Sequence, residues 1–220
     1  MTNERKGNDA MGNPAVFSIA SKCFASVDEA VYRELTAPDE WKSFIDEVRA
    51  CTGPAAAQAT AVLETPPSYV EYDGFCRRHF TGGLPASAMP VESLYRACEA
   101  EGRMQRGRYG ADSARYMERI IASLGLELPS AYRAWPDHLA LELDLLAVLQ
   151  RSGCADEARS FASERFGWLA DYRRRLARLD DPATAFFIAL IDVLIDAIAR
   201  EGAQGPFESG RGCGCDGLPA

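Results

Sequence analysis

Apolar residues recur along most of the chain three and four positions apart, the period of helices that bury one face. Val16, Ala20, Cys23 and Val27 form the first such stripe, which opens at Pro14. Ser26 and Glu29 have the spacing of a capping box, in which a hydroxyl and a carboxylate each satisfy a free N–H of the first turn. A second short helix is therefore expected to begin there. A third follows Thr36-Ala-Pro-Asp, with Pro38 in the first turn, where its missing N–H is not needed. Its buried stripe is Trp41, Phe44, Ile45, Val48 and Cys51, and it is expected to end at Gly53. An alanine-rich helix over 55–63 stops before Pro66-Pro67, and a Ser68–Glu71 capping box precedes Tyr72, Phe75, Cys76 and Phe80.

The stretch from Thr81 to Pro90 holds too much Gly and Pro for a helix and reads as a structured surface loop. Helical patterns return at 91–104, 112–124, 137–151, 155–178 and 182–201, and Gly125 is a natural stop for the second of these. No segment shows strand alternation bounded by hairpin turns. The expected fold is all-α, a single multi-helix bundle over residues 13–201. Residues 1–12 are polar and rich in Gly and Asn, and are expected to be disordered. Residues 202–220 carry six glycines and are expected to form a flexible tail.

Composition narrows the function. With 220 residues, 47% hydrophobic and 25% charged, the chain can build its own core without disulfide or metal staples. A net charge of −8 argues against a nucleic-acid binder, and residues 14–50 hold more Asp and Glu than Lys and Arg, unlike a basic helix-turn-helix. No run approaches the roughly 20 apolar residues of a membrane span. The polar stretch after Arg5 and Lys6 offers no signal-peptide core, so a cytoplasmic location is expected. Five cysteines stand singly among apolar neighbours, as reduced thiols do. His79 and His138 are the only histidines, too few for a His-rich catalytic centre. Cys213 and Cys215 in the tail are weak metal candidates, because two thiolates fall short of a closed zinc site.

The most informative stretch runs from Ala134 to Leu149, where Leu139, Leu143 and Leu146 share one face and Leu141, Leu145 and Leu149 fill the sides. A helix apolar almost all round is a buried one, and acidic groups on it need hydrogen bonds or an open groove. Two readings stay open for Asp137, His138 and Glu142. In one, Asp137 caps its helix and His138 is a structural histidine. In the other, the three form a polar patch at the mouth of an apolar groove.

Pro136-Asp137-His138-Leu139 followed by Glu142-Leu143 resembles the signature of the TorD/DmsD/NarJ-type redox-enzyme maturation chaperones, in which a P-D-H-[LI]-x-x-E-L pattern opens a central helix. Four further stretches are similar and in order: Glu71-Tyr-Asp-Gly-Phe75 through Phe80; Pro90-Val-Glu-Ser-Leu-Tyr95; Tyr116 to Gly125-Leu126; and Phe161 through Trp168 to Tyr172. Together they span about residues 68–198.

The resemblance implies an all-helical cytoplasmic chaperone and not an enzyme. Its partners would be the twin-arginine signal peptide and the apo-catalytic subunit of a molybdopterin oxidoreductase, held back until cofactor insertion. It implies no resident cofactor, with transient molybdopterin or nucleotide contact left open, and a monomer or a dimer formed by exchanging an element. Such a receptor needs carboxylates for guanidinium groups beside an apolar groove. Asp137 and Glu142 are the candidates for the first, Leu84, Tyr95 and Trp135 for the second. Ser93 comes from its motif, and His138 would tune affinity with pH if exposed. The rival readings are a helical metal-dependent hydrolase and a helical ligand-binding regulator; no Gly-rich phosphate loop or nucleophile elbow supports an enzyme.

Overall fold

A computed structural model describes residues 13–82, 84, 86–100, 103–105, 107 and 112–203. The helices are α1 (Pro14–Phe24), α2 (Glu29–Leu35), α3 (Pro38–Cys51), α4 (Ala57–Leu63), α5 (Tyr69–His79), α6 (Asp112–Ser123), α7 (Leu139–Arg151), α8 (Ala155–Arg165), α9 (Leu169–Leu176) and α10 (Thr184–Ala203). The fold is all-α. The tail cysteines Cys213 and Cys215 and the N-terminal segment 1–12 lie outside the described residues.

Local chemistry sets many of the ends. Ser68 and Glu71 form both halves of their capping box: the Ser68 N–H donates to Glu71 Oε2 at 2.8 Å, and the Glu71 N–H donates to Ser68 Oγ at 3.4 Å. Gly125 and Gly153 have φ of +68° and +75°. The N–H groups there and one residue on fold back onto the last turns of α6 and α7, satisfying carbonyls that would otherwise be orphaned.

Three expectations change. The cap of α2 is Asp28, whose carboxylate accepts the Val31 N–H at 3.0 Å, while Ser26 sits at a positive φ of 55° in the α1–α2 link. The segment 91–104 is not a helix: it makes a 3₁₀ turn at Glu92–Leu94 and then an antiparallel pair, β1 (Cys98–Ala100) with β2 (Arg103–Gln105), in the register Cys98 to Gln105. The pattern over 155–178 breaks at a 3₁₀ turn, Phe166–Trp168, which re-aims α9 relative to α8.

α1 lies along α7, where Ser21 Oγ–H donates to the Ala140 carbonyl at 2.7 Å. α10 packs against α4, α8 and α9, with buried residues around most of its circumference. At its N-terminal half Phe187 stacks on Phe75 with ring centroids 4.2 Å apart, and meets Phe24 at 5.7 Å and Phe80 at 5.3 Å. This aromatic knot joins α1, α5 and α10. Among the described residues no helix is long and apolar enough to cross a membrane.

The 81–90 segment is a surface loop only in its first half. Ala88, Met89 and Pro90 are buried, because the Ala88 N–H donates to the His79 carbonyl at 2.7 Å and draws the chain inward. Arg175 Nε–H holds the Ser87 carbonyl at 2.8 Å from the other side. His79 spans the base of the loop, with Nδ1–H on the Ala86 carbonyl at 2.9 Å and Nε2 3.1 Å from Asp181 Oδ2.

Candidate functional site

The buried end of that loop leads straight into the site. Residues 90–93 run antiparallel to 137–139: the Leu139 N–H donates to the Pro90 carbonyl at 2.8 Å, and the Glu92 N–H donates to the Asp137 carbonyl at 3.0 Å. Asp137 Oδ2 then accepts the Ser93 N–H at 2.8 Å. The two sequence motifs, Pro90–Tyr95 and Pro136–Leu143, are thus hydrogen-bonded partners that fix the 3₁₀ turn against the start of α7. Asp137 caps that turn and not its own helix. The cap of α7 is His138, whose Nδ1 accepts the Ala140 N–H at 3.2 Å.

Asp137 and His138 are only 1% and 6% exposed, and Glu142 is fully buried. The three residues do come together, but as a closed cluster and not as an open polar patch. Burial pushes the His138 pKa down to about 3, so the ring is neutral across the physiological range. The Tyr132 ring covers it at 5.0 Å. The exposure that a pH-tuning role for His138 requires is missing.

Glu142 answers the question its helix posed. Trp168 Nε1–H donates to its Oε2 at 3.3 Å. Burial, and next the Glu92 carboxylate beside it, push its carboxyl well above the usual range and favour the neutral acid. Glu92, also fully buried, holds two arginines: Arg96 Nη1–H donates to Oε1 at 2.7 Å, and Arg165 donates to Oε2. The Arg165 guanidinium lies 4.5 Å over the Tyr116 ring, which ties in α6. Among the described residues several polar atoms of this cluster have no hydrogen-bond partner: Ser93 Oγ, Asp137 Oδ1, Glu142 Oε1 and Arg165 Nε.

Above the cluster the surface opens into a cleft of about 280 Å³ between residues 95–97 and the α8–α9 junction. Its floor is aromatic, with Tyr95 stacked on Trp168 at 5.5 Å and 15°. Its walls carry Arg96, Arg165, Glu164 and Asp171. Of the anticipated residues, Tyr95 lines this cleft, whereas Ser93, Asp137 and Glu142 support it from below. Trp135 is half-buried and gives its carbonyl to the His138 N–H at 3.1 Å. Leu84 stands 50% exposed on the first half of the loop.

Glu92, Arg96, Arg165 and Trp168 were missed as site residues. The Glu92–Arg96 spacing of four was visible, and an acid on the apolar α7 implied a partner, but nothing local named Arg165 or Trp168. Among the described residues no group of three or more His, Cys, Asp or Glu is placed to hold a metal ion.

Comparison with known proteins agrees with the motif geometry. The chain is 27% identical over 172 residues to the chaperone protein TorD of Shewanella amazonensis, covering 66% of this chain and 72% of that protein. The family profile described as nitrate reductase delta subunit matches residues 71–182, which contain both paired motifs and the cleft. The chain belongs to this TorD/NarJ-type family of redox-enzyme maturation chaperones, which is a family of chaperones and not of catalysts.

Proposed function

We propose that this chaperone binds the twin-arginine signal segment of a molybdopterin oxidoreductase precursor in the cytoplasm, and keeps the precursor from export until its cofactor is inserted. The observation that carries this reading is the cleft over Tyr95 and Trp168. It offers the half-exposed ring of Tyr95, backed by Trp168, to a guanidinium or an apolar side chain, with the carboxylates of Glu164 and Asp171 on its wall. The buried Asp137–Ser93 and Glu92–Arg165 contacts hold that surface rigid, which lowers the ordering cost of binding. Their role in the function is to frame the cleft.

The test is calorimetric titration of the full chain with a blocked peptide carrying Arg-Arg followed by an apolar stretch. Saturable binding with a Kd on the order of 1–10 μM is expected, weakened when both arginines become glutamine. Equal affinity for the two peptides would overturn the arginine reading.

A further inference from the structure

The cleft already contains a guanidinium, and it belongs to the chain itself. Arg96 reaches across the wall so that Nη1–H bonds both Glu92 Oε1 at 2.7 Å and the Glu164 carbonyl at 3.3 Å. Its side chain is 49% exposed, whereas the Glu92 carboxylate beneath it is completely buried. The two ends of this contact therefore differ in kind. Glu92 cannot leave and must keep a donor, because an uncompensated buried carboxylate is costly. Arg96 can swing into water at little expense, because a half-exposed arginine regains hydration and rotamer freedom when it lets go. Arg165, the second donor to Glu92, is itself buried and pinned over Tyr116, so it stays.

We propose that Arg96 is a resident placeholder, and that an arginine of the partner peptide displaces it to occupy the seat formed by the Glu92 carboxylate and the Glu164 carbonyl. This rests on the peptide-binding reading above and adds a recognition residue, Glu92, and an exchange step. The charge balance is unchanged by the exchange, since one guanidinium replaces another against the same carboxylate. Lysine would fill the seat less well, because an ammonium is more strongly hydrated than a guanidinium and costs more to dehydrate against a buried carboxylate. The resident arginine reduces the apparent affinity by the fraction of time the seat is free, which keeps weak lysine-bearing or apolar segments out.

Calorimetry of the Arg-Arg peptide and its Lys-Lys counterpart against wild type, Arg96→Ala and the double variant Arg96→Ala/Glu92→Gln tests this, with circular dichroism to verify that each is folded. The exchange requires Arg96→Ala to bind the Arg-Arg peptide about tenfold more tightly than wild type. The Lys-Lys peptide should gain less, and the double variant should lose the gain. If the double variant fails to fold, the Arg-versus-Lys difference in Arg96→Ala alone decides. Equal affinity of wild type and Arg96→Ala for the Arg-Arg peptide would overturn the placeholder and leave the peptide-binding reading standing. Weaker binding by Arg96→Ala would mean that Arg96 contacts the peptide, which also overturns it. No binding by any of the three proteins would overturn both readings.

Discussion

The aromatic knot around Phe187 and the polar cluster around Glu92 are equally inaccessible to water, but they are held by opposite means. In the knot, Phe187, Phe75, Phe24 and Tyr72 gain from being dry, and no group there needs a named partner beyond the Tyr72 hydroxyl, which takes the Val27 N–H at 3.1 Å. In the cluster, Glu92, Glu142, Asp137 and Arg165 are dry at a cost and tolerate it only because each faces a specific donor, acceptor or opposite charge. The knot supplies stability that survives a change of pH. The cluster supplies a defined shape under the cleft, with charge states that depend on pH. A binding surface on a helical bundle needs both.

The largest expected effect breaks the knot. Phe187→Ala removes a fully buried ring that contacts five others and is expected to cost about 3–5 kcal/mol in chemical denaturation, with little dependence on pH between 5 and 8. A cost below about 1 kcal/mol would mean that the knot is not the main source of stability.

The next two probe the cluster, and their pH dependences have opposite signs. His138 has its pKa depressed by burial from 6.5 to about 3. Between those values the unfolded chain binds the extra proton, so this contribution is complete above pH 6.5 and is lost as pH falls toward 3. In His138→Asn an Asn side chain can still cap α7, and urea titrations should show an acid loss smaller than that of wild type by on the order of 2 kcal/mol between pH 7 and 4. Parallel wild-type and variant curves would contradict the buried neutral ring.

Glu142 has its carboxyl raised by burial and by Glu92, so the folded state holds the proton above the ordinary pKa of 4.5. Its contribution is present below that pH and is lost as pH rises. Glu142→Gln keeps the shape and removes the titration. Its stability relative to wild type should therefore improve as pH rises from 5 to 8. A difference that stays flat with pH would place the proton elsewhere in the Glu92–Glu142 pair.

The contrast also explains what could be read from the sequence. Many of the helices, α5 of the knot among them, were legible because their signals are local: Ser68 with Glu71, Pro38 in a first turn, Gly125 after a last one. Where two local signals competed, reading failed by a residue or two, as at Ser26 and Asp28, because either acceptor fits the spacing and only the chain path chooses. The segment 91–104 failed for a different reason. Its backbone pairs with 137–139, some 45 positions away, and that pairing overrides a helical pattern. The site shared this fate. Asp137, His138 and Glu142 were legible as a group because they share one short stretch, but their enclosure depends on Glu92, Arg165 and Trp168, which arrive from three other elements. The alternation of polar and apolar residues says that a buried acid needs a partner, and not which one.

The division between frame and binding surface can be tested by changing only the outer carboxylates of the cleft. Glu164→Gln/Asp171→Asn alters one exposed and one half-buried acid and leaves the Glu92–Arg165–Glu142 cluster in place. Calorimetry with the Arg-Arg peptide should show binding weakened about tenfold or more, with a thermal midpoint within about 2 °C of wild type. Unchanged affinity in a folded double variant would contradict the placement of the partner in this cleft.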